Sequence, residues 1–184
     1  MAENIRGSDT NPRFVDDRRR AIIAECKRQE ESCLYTSTTL YIWLRRVRRQ
    51  KQFFVAAPII IGGVAGLSIL QDWGWDWVVA VLAFIASLFP AMADALKFET
   101  SVDEISRLAA DFKALQDRFR RTANITALGD VQAAEAALAE LMDRMDIARS
   151  SSITPPETAF KEAQRKIADG HYDFSVDSEI HRSN

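Results

Sequence analysis

A chain of 184 residues holds about one domain with a substantial core, and 47% apolar with 27% charged residues excludes a collagen-like chain, a disulfide scaffold and a wholly disordered one. The formal charge of −2 argues against a dedicated nucleic-acid binder, which would carry a global basic excess. That near-neutral value conceals unlike parts: residues 1–52 hold 12 bases and 7 acids, residues 53–96 no base and 3 acids, and residues 97–184 12 bases and 16 acids. A basic arm, an apolar middle and an acidic remainder point to a membrane protein.

In the arm (1–52), Ile22, Cys26, Cys33, Leu40, Leu44 and Val47 recur at near-heptad positions between Asp16 and Lys51, predicting an amphipathic helix. Cys26 and Cys33 lie on one face of that helix, roughly 10 Å apart along its axis, too far for a bridge within the chain. They read as reduced core thiols. The only histidines, His171 and His181, stand far down the chain, so no metal site is expected. Arg45, Arg46, Arg48, Arg49 and Lys51 have no acid among them. Cations there suit anionic lipid headgroups, and the same arginines could hold a nucleotide phosphate.

The middle (53–96) contains two uncharged runs, Phe53 to Leu70 (FFVAAPIIIGGVAGLSIL) and Trp77 to Ala93 (WVVAVLAFIASLFPAMA). As a helix the first is about 27 Å long, close to the ~30 Å hydrocarbon core of a bilayer. With only Gln71 to Asp76 between them, the runs are expected to form a two-helix transmembrane hairpin, and Trp73, Trp75 and Trp77 at its turn suit the headgroup layer. Bases before the first run, and acids without a base in the turn, predict a multi-pass protein of the inner membrane with both termini cytoplasmic. The run begins too far into the chain for a cleaved signal peptide. A buried helix pair in a soluble core is the alternative.

Inside the second run Ala80, Ala83, Ser87, Ala91 and Asp94 share one helix face, either a packing surface or a water-facing pore lining. Gly62 and Gly66 form a small-xxx-small pair suited to helix packing, and Pro58 and Pro90 each remove a backbone donor, so both helices can bend. Two helices cannot enclose an aqueous path. Conduction therefore requires a homo-oligomer.

In the third part (97–149), Val102, Ile105, Leu108, Ala109, Phe112, Leu115 and Phe119 give a coiled-coil-like seam, with Gln116 where the repeat expects an apolar residue. No Gly or Pro intervenes between Met92 and Asn124, so the second run is expected to continue as one long stalk helix. Gly129 and Asp130 make a stop and restart before a helix carrying Val131, Ala134, Leu138, Leu141 and Met145. Residues 150–184 read as a linker, a short helix from Glu157 to Asp169 closed by Gly170, and a tail ordered, if at all, by a partner. The fold class expected is an all-α membrane protein, a transmembrane hairpin with long cytoplasmic helical extensions.

No phosphate loop, HExxH, GxSxG elbow or convergent carboxylate set is present, so no catalytic residue and no cofactor is expected.

The stretch Tyr35 to Gln50 (YTSTTLYIWLRRVRRQ), the hairpin from Phe53 to Leu96 and the helix Leu96 to Arg121 resemble the SLATT family, two-transmembrane effector modules of bacterial conflict systems, over roughly residues 20–125. The resemblance implies an antiviral defence effector that oligomerises into a pore or ion channel and disrupts the membrane when triggered. It leaves the trigger open between a separate sensor protein, a nucleotide second messenger and a neighbouring enzyme. A non-conducting anchor that recruits a partner through the cytoplasmic helices is the competing expectation, and a soluble helical scaffold a third.

Overall fold

The computed structural model describes residues 12–70, 76–95, 98–151 and 153–172, with the side-chain environments of 65–70, 76, 93 and 98–100 left out. These residues form α1 (Pro12–Leu70), α2 (Asp76–Ala95), α3 (Phe98–Asn124), a 3-10 turn (Thr126–Leu128), α4 (Val131–Ser150) and α5 (Glu157–Ala168). The chain divides into two compact units, one of residues up to Ile42 together with Arg107 onward, the other Trp43–Ser106.

The arm and the first apolar run are one helix of 59 residues. Pro12 opens it, where a missing N–H costs nothing. No Gly or Pro then occurs until Pro58, so nothing in the backbone stops the helix where the sequence turns from charged to apolar. Of the expected stalk, α2 reaches Ala95 and α3 begins at Phe98, while Leu96 and Lys97 between them lie outside the described residues.

In the first unit the predicted stripes form the core. Ile22, Cys26, Cys33 and Leu40 of α1, Leu108, Ala109, Phe112, Leu115 and Phe119 of α3, Val131, Ala134, Leu141 and Met145 of α4, and Ala159 and Ala163 of α5 are buried. The largest fully buried rings, Phe112 and Phe119, belong to α3, whereas α1 supplies small Cys26, Cys33 and Ser37. Large residues on one helix and small ones on another fill a close-packed interior without voids. The Cys33 Sγ to Met145 Sδ distance of 3.6 Å joins α1 to α4. Ser37 and Thr39, although buried, donate their hydroxyls to Leu34 O (3.2 Å) and Tyr35 O (2.7 Å) of their own helix and so need no partner across the core.

Polar contacts fix the register of this core. Gln29 donates to Glu25 Oε1 at 2.7 Å and accepts from Arg149 Nη2 at 3.2 Å. Arg18 pairs with Glu135, and Arg19 donates to the carbonyl of Gly129 at 3.2 Å. The restart expected at Gly129 and Asp130 is present: Asp130 caps α4 by accepting from the backbone N–H of Ala133 (3.0 Å) and Gln132 (3.4 Å). Past α5, Gly170 takes a φ of 74°, which favours glycine after a helix end.

In the second unit the Phe54 ring of α1 packs on Phe89 of α2, with centroids 5.8 Å apart and ring planes tilted by 56°. Phe54, Ala57, Pro58 and Ile61 on α1, and Val78, Val79, Leu82, Ala86 and Phe89 on α2, are half-buried. Leu44, Val47 and Ile105 are buried among its described residues.

The transmembrane expectation is corrected. Among the described residues no helix is long and apolar enough to cross a membrane. The two-span hairpin, the multi-pass inner-membrane location with cytoplasmic termini, and a channel built from those spans are therefore not supported. What holds is that every element among the described residues is helical, with coiled-coil-like seams. The turn carrying Trp73 and Trp75 lies outside the described residues.

Phe112→Ala removes a fully buried ring and is expected to cost about 3–5 kcal/mol, whereas Asp130→Ala removes one cap and is expected to cost about 1 kcal/mol. Urea unfolding followed by circular dichroism checks the ranking, and a larger loss at Asp130 than at Phe112 would contradict this account of the core.

Candidate functional site

A helix has room for only one buried stripe when it packs on a single neighbour, and in the second unit the opposite stripe of α1 stays uncovered. Exposure there follows the helical repeat without a break: Arg45, Arg48, Arg49 and Gln52, then Val55, Ala56, Ile59, Ile60 and Gly63. The face is cationic for its first two turns and apolar for the next three. Leu44, Val47, Phe54, Pro58 and Ile61 occupy the other side. Ile59 is 71% exposed and Ile60 64%, values that belong to surface lysines more than to isoleucines.

Helix α2 is exposed around most of its circumference. Trp77, Val81, Phe84, Ile85, Leu88 and Met92 are all at least 41% exposed. Each large side chain fully removed from water contributes about 1.5–3 kcal/mol. The eleven large exposed apolar residues from Phe53 to Met92 therefore hold on the order of 10 kcal/mol of unrealised burial, even at half weight. Monomeric soluble proteins rarely leave an apolar patch of that size uncovered.

The residues singled out in the sequence fall as follows. Ala80, Ala83, Ser87, Ala91 and Asp94 all lie exposed, on a face of α2 away from Phe89 and Leu82. The Ser87 hydroxyl donates to the Phe84 carbonyl at 2.7 Å, so it is engaged with its own helix. A Cβ added at Gly62 would meet nothing within 4 Å, so Gly62 supports no close approach within this chain. The surroundings of Gly66 lie outside the described residues. Of the basic cluster, Arg45, Arg48 and Arg49 are exposed on the stripe just traced, while Arg46 and Lys51 are half-buried beside it. Trp77 is 70% exposed. The phase relation between the arginines and the apolar face was readable from residue spacing. Its exposure was not, because spacing gives a stripe without saying which stripe is covered.

No group of His, Cys, Asp and Glu among the described residues could hold a metal ion. Cys26 and Cys33 are free and fully buried. Burial pushes both thiols up to about 11, with Glu25 and Glu30 adding to the shift at Cys26 and Arg149 opposing it at Cys33. A thiol held protonated is a poor nucleophile and a poor metal ligand, so these cysteines are packing residues.

Comparisons with family models, with curated proteins and with solved structures found no match.

The folded chain holds the two thiol protons to about pH 11 while the unfolded chain releases them near 9. Their contribution is therefore complete below pH 9 and lost as pH rises from 9 to 11, with a slope of up to about 1.4 kcal/mol per pH unit for each thiol. A Cys26→Ala/Cys33→Ala chain is expected to show a shallower decline of stability over that window. Equal slopes in urea titrations of the two chains would show that the thiols do not contribute.

Proposed function

We propose that this protein is a non-catalytic, self-associating effector that acts on lipid membranes when triggered, the kind of role implied by its resemblance to the SLATT family. Residues 43–106 are the acting unit, and the remaining helices receive the signal. The observation that carries this reading is the uncovered apolar surface from Phe53 to Met92. Water disfavours such a surface, and acyl chains together with further copies of the chain would cover it. Apolar helices with a basic flank bind at the boundary between headgroups and acyl chains and disturb its packing, at whatever depth they settle.

A second reading, recruitment of a partner without membrane damage, draws on Ile125 and Leu128, which are 67% and 68% exposed beside the turn between α3 and α4. Neither residue packs in the core of its own unit, and an apolar pair at a turn suits a protein contact.

Ile59→Glu and Phe84→Glu place charge on exposed positions and should leave helix content unchanged. Each is expected to lower vesicle association, and toxicity on expression, by about tenfold or more, in line with the ~2 kcal/mol of apolar burial that each abolishes. Co-sedimentation with vesicles and growth of expressing cells provide the measurements. A parent chain that stays monomeric without detergent and leaves vesicles unbound would overturn the proposal, and vesicle binding without leakage or toxicity under any trigger would favour the recruiting role.

A further inference from the structure

We propose that the exposed stripe of α1 from Arg45 to Ile60 is a docking surface specific for anionic phospholipid. The inference rests on the membrane-directed reading above and adds the headgroup charge that the surface selects. Arg45, Arg48 and Arg49 lie within about 6 Å along the helix axis, and Val55, Ile59 and Ile60 continue the same face over the next ~17 Å. Across Arg45 to Gln52 the exposed face carries three guanidinium groups and no carboxylate. From Phe53 to Val64 it carries no charge at all.

An occupant that satisfies both halves must offer phosphate oxygens at one level and hydrocarbon at the next, in that order along one axis. A leaflet containing anionic phospholipid does so. Guanidinium groups hold phosphate through paired N–H donors, which favours arginine here over a point-charge amine. A free nucleotide or inorganic phosphate would engage the arginines but leave the aliphatic half in water. A nucleic acid would do the same. A second copy of this chain could cover the aliphatic half, but it would have to bring exposed carboxylates to the arginines at the same time, and the same face of its own α1 from Arg45 to Gly63 carries none to offer.

Attraction of about one unit of charge per arginine to an anionic surface amounts, for three, to about a hundredfold in partitioning. The test uses the full chain with vesicles of phosphatidylcholine alone and of phosphatidylcholine mixed with phosphatidylglycerol, read by co-sedimentation at fixed ionic strength. The parent is expected to bind the mixed vesicles about a hundredfold more tightly. Arg45→Gln/Arg48→Gln/Arg49→Gln is expected to lose that preference while keeping its binding to phosphatidylcholine and its circular dichroism spectrum. A control with the same change in net charge, Arg107→Gln/Arg118→Gln/Arg121→Gln on the exposed side of α3, is expected to keep the preference.

Equal binding of the parent to both vesicles would overturn this inference while leaving the proposed function standing. Loss of preference in the control as well would overturn it in favour of net charge alone. Release from mixed vesicles by pyrophosphate, at matched ionic strength, would reassign the arginines to free phosphate. Binding to neither vesicle would overturn the inference and the proposed function together. If the triple glutamine variant then fell apart from an oligomer to a monomer, the occupant would be a second copy of the chain.

Discussion

Apolar side chains must leave water somewhere, and the two units of this protein meet that requirement differently. Residues up to Ile42 and from Arg107 onward draw their aliphatic and aromatic groups from four helices into one interior, where Phe112, Phe119, Cys26 and Cys33 are almost wholly shielded. Residues 43–106 offer chiefly α1 and α2 to one another. Two helices packed side by side can each cover one stripe, so Phe54 and Phe89 meet while Ile59, Ile60, Phe84 and Trp77 stay in contact with solvent. The missing burial, on the order of 10 kcal/mol, is comparable to the whole stability of an ordinary domain. A surface of that energy governs what this chain can associate with, and the functional reading follows from it more than from any particular polar group.

Helix α1 carries this contrast within a single element. Its backbone continues from Pro12 to Leu70, yet the groups along its outward face change from mixed charges, through the arginines at 45, 48 and 49, to valine and isoleucine. Because the helical phase is unbroken, cationic and apolar groups line up on one face instead of winding apart. The ion pairs elsewhere are modest by comparison. Arg18 with Glu135 and Arg120 with Glu30 are partly exposed, and such pairs contribute at most about 1 kcal/mol. Their effect is to set register in the first unit, together with the Gln29 bridge between α1 and α4.

The seams of the first unit were legible as spacing. Ile22, Cys26, Cys33 and Leu40, the series Leu108, Ala109, Phe112, Leu115 and Phe119, and Val131, Ala134, Leu141 and Met145 all became core, with Leu138 half-buried, because a 3.6-residue repeat of apolar groups can be satisfied only by burial on one side. The restart at Asp130 was equally legible, since a carboxylate placed before a helix has free N–H groups to accept from. Less could be read in the middle. The apolar runs were visible as composition, but the inference from them to two membrane-crossing helices did not survive, as no helix among the described residues is long and apolar enough to cross. The arm and the first run share one helix, α1, with no break where charged residues give way to apolar ones. Helix boundaries depend on hydrogen-bond continuity more than on the hydrophobic pattern that signals a helix.

By itself, then, the amino-acid order determined the helical character of the chain, the apolar stripes of the first core, the inertness of its two cysteines and the presence of an arginine cluster beside an uncharged run. These properties are local: they follow from side-chain chemistry repeated at the period of a helix. Tertiary structure decided which stripes are covered. It packed Phe54 on Phe89 and left Ile59 in water, and it turned Arg45, Arg48 and Arg49 outward on one face while setting Arg46 and Lys51 to the side. Coverage depends on what lies across from a residue, and no periodicity within one segment contains that information.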